Sequence, residues 1–300
     1  MNNHIKKYFF LCITLWNLSC AGFSATYFYQ LYLHNEYYAE PPGFPSKFIL
    51  SPIISSFSGQ ADQWHEERFA AGLIETVRLA YNHTWIEFIT AFGKEHIQLN
   101  QQGIITKKSR FGMDDFLIDI GHNFLDESGK KQLLLHWLTG IPLTKKVSLA
   151  DVNQPLWGTR TYATGPVIEV VYEFVRNKAE DIFIGVITRF LHGFRTRYTP
   201  ILPLDAFFNP GNSLDILALF HYRYYDQNIE AGYVFTKFSN SSYEFSDHIE
   251  HLPSQRYNSF YLDYFYFYKP RSMGFEINIT KTIGTPYNGI TVYGLITWYF

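Results

Sequence analysis

Residues 213–225, "SLDILALFHYRYY", place Leu214, Ile216, Ala218, Phe220, Tyr222 and Tyr224 on one parity. Asp215, Leu217, Leu219, His221 and Arg223 fall on the other. Successive side chains of a strand point to opposite faces, so this alternation predicts a strand with one apolar face. The pattern recurs in "GMDDFLIDIGHNF", where Phe116, Ile118, Ile120 and Phe124 oppose Asp115, Asp119, Gly121 and Asn123. In "GPVIEVVYEFV", Pro166, Ile168, Val170, Tyr172 and Phe174 oppose Val167, Glu169, Val171 and Glu173. In "MGFEINITKT", Met273, Phe275, Ile277 and Ile279 oppose Gly274, Glu276, Asn278 and Thr280.

Alternation also occurs in soluble sandwiches, but two features favour a membrane barrel. The periodic runs are longer than the roughly five or six residues of globular strands and match the roughly nine to eleven of a tilted membrane strand. Strands are expected near 48–57, 70–81, 84–93, 112–124, 131–141, 164–175, 181–192, 213–225, 228–238, 257–268, 272–283 and 289–300. Their connectors alternate long and short, with "YNHT", "DESGK", "RNKAED", "YDQN" and "KPRS" as the short ones. Longer links are expected near 58–69, 94–111, 142–163, 193–212 and 239–256, and the compact "GTPYNG" breaks the alternation. Tight turns at one rim and longer loops at the other are expected of an outer-membrane barrel. The fold class is all-β: a transmembrane antiparallel up-and-down β-barrel of about 12 strands.

The final segment, "GITVYGLITWYF", reads as the closing strand. Ile290, Val292, Ile296, Trp298 and Phe300 share the lipid-facing parity, while Thr291, Tyr293, Leu295, Thr297 and Tyr299 point inward. Trp298 and Phe300 resemble the C-terminal signature that outer-membrane proteins present to their insertion machinery, with Gly294 departing from it. Aromatics near predicted turns, such as Tyr222, Tyr224, Tyr264, Tyr266 and Tyr268, fit an interfacial girdle.

Aromatic residues make up 19% of the chain, and its formal net charge is −2. A near-neutral balance without a basic face argues against nucleic acid as a partner. At the N-terminus Lys6 and Lys7 precede the apolar "YFFLCITLWNL", which is too short to span a bilayer, and Ser19 and Ala21 form a cleavage-like pair. Residues 1–25 are therefore expected to be a signal peptide. Both cysteines, Cys12 and Cys20, lie in it, and loss of Lys6 and Lys7 takes the net charge to −4. Lipid attachment at Cys20 is disfavoured by Asn17, where an apolar residue is wanted. Residues 26–47 carry Pro41, Pro42 and Pro45 and are expected to form a periplasmic lead-in or plug, with 48–300 as the barrel. The expected location is the bacterial outer membrane, with the bilayer, lipopolysaccharide and the outer-membrane assembly machinery as partners.

Charges on the inward parity are the main chemical feature. Asp119, Glu169, Glu173, Arg189, Asp215, Arg223, Glu230, Asp263 and Glu276 oppose the apolar face and must line an interior, because a charge facing lipid costs several kcal/mol. Tyr261 and Tyr293 join them, giving a wall of mixed character. Such groups can pair across strands to fill the barrel or form a constriction that selects solutes. No G-x-S-x-G, phosphate-cradling glycine loop or H-E-x-x-H is present. His248 and His251 have the spacing of a chance surface pair, and His122, His136, His192 and His221 lack a compelling serine triad. The expectation is a non-enzymatic protein without metal or cofactor.

The runs "RFGMDDFLIDIGHNF", "LLLHWLTGIPLTKK" and "PLWGTRTYATGPVIEVVYEF" resemble the outer-membrane proteins of the MetA-pathway of phenol degradation family. The matching positions are Gly112-Met113-Asp114-Asp115, Thr139-Gly140-Ile141-Pro142-Leu143-Thr144, and Gly158-Thr159 with Gly165. Met113 stands where the family has glycine, and the Pro-Thr-Gly order is broken. The resemblance implies a porin-like barrel associated with aromatic or other hydrophobic solutes, distantly like fatty-acid transporters. It carries over no substrate residue. A non-conducting surface-binding or structural barrel, and a barrel that hydrolyses lipid, are the alternatives.

Overall fold

The computed structural model describes residues 46–300 apart from 62–63, 102, 114–115, 127–129, 144–160, 178, 199–205, 246–248, 269–271 and 286. The expected signal peptide and lead-in, and most of the 142–163 link, lie outside the described residues.

The described elements are all strands. The first eight are β1 (Lys47–Ala61), β2 (Trp64–Tyr81), β3 (Thr84–Gln101), β4 (Ile104–Met113), β5 (Phe116–Leu125), β6 (Lys131–Ile141), β7 (Ala163–Arg176) and β8 (Glu180–Gly193). The chain continues through β9 (Thr196–Tyr198), β10 (Ala206–Asn209), β11 (Asn212–Tyr224), β12 (Gln227–Phe238), β13 (Ser241–Glu244) and β14 (Ile249–Leu252). It ends with β15 (Gln255–Tyr268), β16 (Met273–Thr285) and β17 (Tyr287–Tyr299).

Thirteen of these form one antiparallel sheet, closed by pairing of β2 with β3. β4 and β5 are two halves of one barrel strand on the same side of β3, so the barrel has 12 strands, as the periodicity predicts. Ile89 faces Leu117 whereas Phe92 faces Met113, so the register against β3 differs by one residue between β4 and β5. Closure leaves no strand edge between β1 and β17: Phe48 faces Trp298, their rings stack 5.7 Å apart, and the Phe300 amide donates to the Ser46 carbonyl.

Every second residue is buried inside the barrel and its neighbour faces out. β8 shows this over its whole length, with Phe183, Ile187, Arg189 and Leu191 buried and Ile184, Val186 and Phe190 exposed. The outward residues of β15 and β16 (Phe260, Leu262, Ile277 and Ile279) extend the same apolar band. Polar side chains on the enclosed face and apolar ones on the outer face invert a soluble protein's arrangement. Glu75 departs from it, standing on the outward parity between Leu50 and Thr90.

The structure corrects two connectors. Residues 58–69 and 94–111 are not long loops; they continue β1, β2, β3 and β4 into extended hairpins in which Ala61 faces Trp64 and Gln101 faces Ile104. The 193–212 and 239–256 links are long as expected. Their described residues include a separate four-stranded sheet of order β14-β13-β10-β9, where Arg195 pairs with Glu244 of β13 and lies over the Phe207 ring of β10.

Candidate functional site

The candidate site is the enclosed polar face, built from two register rows and an inter-strand bridge. The first row runs Lys47–Arg78–Glu87–Asp119 across β1, β2, β3 and β5. Arg78 donates to Glu87 at 3.2 Å, and its guanidinium lies 5.5 Å from the Trp85 ring centroid. Trp85 donates from Nε1 to Asp119 Oδ2 at 2.8 Å.

The bridge extends this row. His136 on β6 meets Asp119 Oδ1 through Nδ1 at 2.8 Å and Glu169 Oε1 through Nε2 at 2.7 Å. Both ring nitrogens thus meet an acidic side chain, and the imidazole bridges β5 and β7. The ring also packs against Trp85, centroids 5.6 Å apart. Gly121 makes this possible: it faces both Trp85 and His136, and a Cβ there would fall 2.3 Å from the indole.

The second row runs Phe183–His221–Glu230–Asp263–Asn278–Tyr293 across β8, β11, β12, β15, β16 and β17. His221 stacks on Phe183 with centroids 4.1 Å apart and reaches Glu230 through Nδ1 at 3.2 Å. Tyr261 donates to Glu230 at 2.7 Å from above Gly232, whose missing side chain leaves room for the phenol ring. Asn278 donates to Asp263 at 3.2 Å and accepts from Thr280 at 2.8 Å. Glu276 is buried nearby, opposite Phe265 and Leu295.

Towards the long-loop end Arg189 donates through Nε and Nη2 to Asp215 Oδ2, at 3.0 and 2.6 Å. Thr236 donates to the other Asp215 oxygen at 2.7 Å. Arg223 instead pairs with Asp181 near a tight turn and is partly exposed. Glu173 is buried near the same end.

Of the residues that parity turns inward, the structure joins Asp119 and Glu169 through His136, pairs Arg189 with Asp215, and sets Glu230, Asp263 and Tyr293 in one row with Tyr261 bonded to Glu230. Arg223, Trp298 and Phe300 stand apart from these groups. Trp298 is on the outer face, and the Phe300 side chain is exposed. Residues the sequence reading missed are Lys47, Arg78, Trp85 and Glu87, together with Glu66, Arg68 and Glu95 in the extended hairpins. Arg68 pairs with both Glu66 and Glu95. Extending the period-two parity through β2 and β3 assigns all of these inward except Lys47.

The buried residues include four Lys or Arg (Lys47, Arg68, Arg78, Arg189) and eleven Asp or Glu among the described residues. Between them lies an apolar cluster that includes Leu134, Leu138, Val167, Ile187 and Leu217. The enclosed face is acid-rich and amphipathic.

No protein-family model matches the chain, and no curated protein matches it by sequence. The fold is similar to that of an outer membrane channel from Pseudomonas putida F1, with a TM-score of 0.69 and 10% identity over 88% of this chain and 98% of the other. It is also similar to the transport unit of the autotransporter AIDA-I from Escherichia coli, with a TM-score of 0.56 and 8% identity over 92% and 98% of the two chains. The translocator domain of the autotransporter NalP from Neisseria meningitidis gives a TM-score of 0.53 at 8% identity, covering 94% and 98%. At such identities the similarity defines a fold, that of a closed outer-membrane-type barrel.

Proposed function

We propose that the protein is a porin-like channel of the bacterial outer membrane that admits small solutes by passive diffusion, hydrophobic or aromatic ones preferred. The observation that carries this reading is the inverted polarity of a closed barrel: apolar outside, charged and hydrogen-bonded inside. Lipid-spanning structures must satisfy every backbone group, and a closed barrel does so without an edge. Barrels of about eight strands are filled by their side chains and those of about sixteen leave an aqueous channel, so twelve strands suit a narrow passage. The solute class draws on Tyr261, Phe265 and Tyr293 on the enclosed face and on the resemblance to the MetA-pathway of phenol degradation family. The acid excess disfavours anionic solutes.

A second reading, a non-conducting barrel, is favoured by one observation. The inward side chains are nearly inaccessible and cross-linked by ion pairs, with Asp119 and Glu169 fully buried.

The test is swelling of proteoliposomes carrying the refolded protein. A neutral phenol-like solute is expected to enter faster than a carboxylated aromatic of the same size. Equal rates for both would remove the assignment of solute class. In cells, a heat-modifiable species in the outer-membrane fraction is expected, and recovery as a soluble periplasmic protein would end the barrel-channel reading.

A further inference from the structure

The outer surface carries a concavity of ≈ 650 Å³ where the extended hairpins leave the apolar band. A register row crosses its floor: Lys281 faces Ile290, Ile290 faces Ser56, and Ser56 faces Phe69. The next row towards the hairpin tips contains Ser58 and Glu67 and ends at Lys107 on β4. These side chains are on the outward parity and exposed. Among the described residues neither lysine has an ion-pair partner, whereas Glu67, the acidic residue of the lining, lies 3.4 Å from His65.

Position and chemistry together select the occupant. On β1 the outward residues change from Ile54 to Ser56 and Ser58 at the level of the groove. A molecule seated there would meet apolar surface below, formed by Ile54 and Val292, and hydroxyls and ammonium groups above. Lysine ammonium groups bind phosphate as point charges, serine hydroxyls suit sugar hydroxyls, and the apolar flank suits acyl chains. We propose that this groove binds the headgroup of a phosphorylated glycolipid of the outer leaflet, with Lys107 and Lys281 taking phosphate and Ser56 and Ser58 the sugar. The proposal rests on the outer-membrane placement argued above.

The experiment is a titration of the purified, refolded barrel in detergent, followed by native mass spectrometry. Three probes are compared: diphosphorylated lipid A, the same glycolipid with its phosphates removed, and inorganic phosphate. Diphosphorylated lipid A is expected to bind. The K107Q/K281Q double variant is expected to bind it at least about tenfold more weakly, because each surface lysine contributes substantially to attraction for an anionic headgroup. The Ser56→Trp variant, which fills the floor, should lose affinity while keeping both lysines. Both lysines are exposed, so the double variant should remain heat-modifiable, and that property is recorded in parallel. Unchanged affinity in the folded double variant, or equal affinity for the dephosphorylated glycolipid, would overturn the proposal. Displacement of the lipid by millimolar inorganic phosphate would assign the groove to free phosphate and overturn the lipid assignment. Because binding is read on the isolated protein, a negative result is separable from failure of the cellular location, which fractionation reads.

Discussion

Replacing His136 with alanine is expected to cost the folded barrel about 3–5 kcal/mol, the range for removing one member of a buried ionic group. The ring lies between Asp119 and Glu169 and meets each within 2.8 Å. Its loss takes from two buried acidic side chains the partner that they share. Trp85 is affected as well, since it donates to Asp119 and packs on the imidazole. The measurement is urea unfolding of the refolded protein in detergent, read by the heat-modifiable band and by tryptophan fluorescence. A loss below about 1 kcal/mol, the scale of an ordinary hydrogen bond, would show that the bridge is incidental to stability.

The second large effect concerns facing. Ile168 is 45% exposed on the outer face of β7, and adjacent Glu169 is fully buried. Ile168→Arg is expected to cost about 2–4 kcal/mol if the residue sits near the bilayer midplane, whereas Ile168→Leu should be almost neutral. The comparison is made by refolding yield into lipid vesicles and by equilibrium unfolding from them. Tolerance of arginine at Ile168 in vesicles would mean that this face does not meet lipid.

Both predictions draw on information of different visibility in the sequence. The facing of Ile168 and Glu169 is legible because a strand has a period of two and lipid selects apolar residues on one parity alone. Closure through the last strand is legible for the same reason, since Val292, Ile296 and Trp298 alternate with Tyr293, Leu295 and Thr297. The contacts of His136 are not legible. Its carboxylates come from β5 and β7, and register between strands is set by pairing: a shift of two residues would keep every side chain on its face and dissolve the bridge.

The extended hairpins escaped the sequence for a physical reason. Above the apolar band no lipid favours hydrophobic outward residues, so alternation fades although the ladder continues. On β3 the outward positions become Lys94, His96 and Gln98, which read as loop while remaining paired with β2. Glu66, Arg68 and Glu95 were missed with them, although Arg68 bridges the other two on the enclosed face. The small sheet formed by β9, β10, β13 and β14 is similarly invisible, because its strands of three or four residues are too short to show a period.

A passage along the enclosed polar face must carry ions. Its most direct test is ion conductance of the refolded protein in planar bilayers at neutral pH. Discrete single-channel steps with a preference for cations are expected, because buried Asp and Glu outnumber Lys and Arg among the described residues. In the same recording Glu230→Lys and Asp263→Lys should move the selectivity towards anions. A protein that inserts, remains heat-modifiable and passes no current would contradict the channel reading and leave the non-conducting barrel in its place.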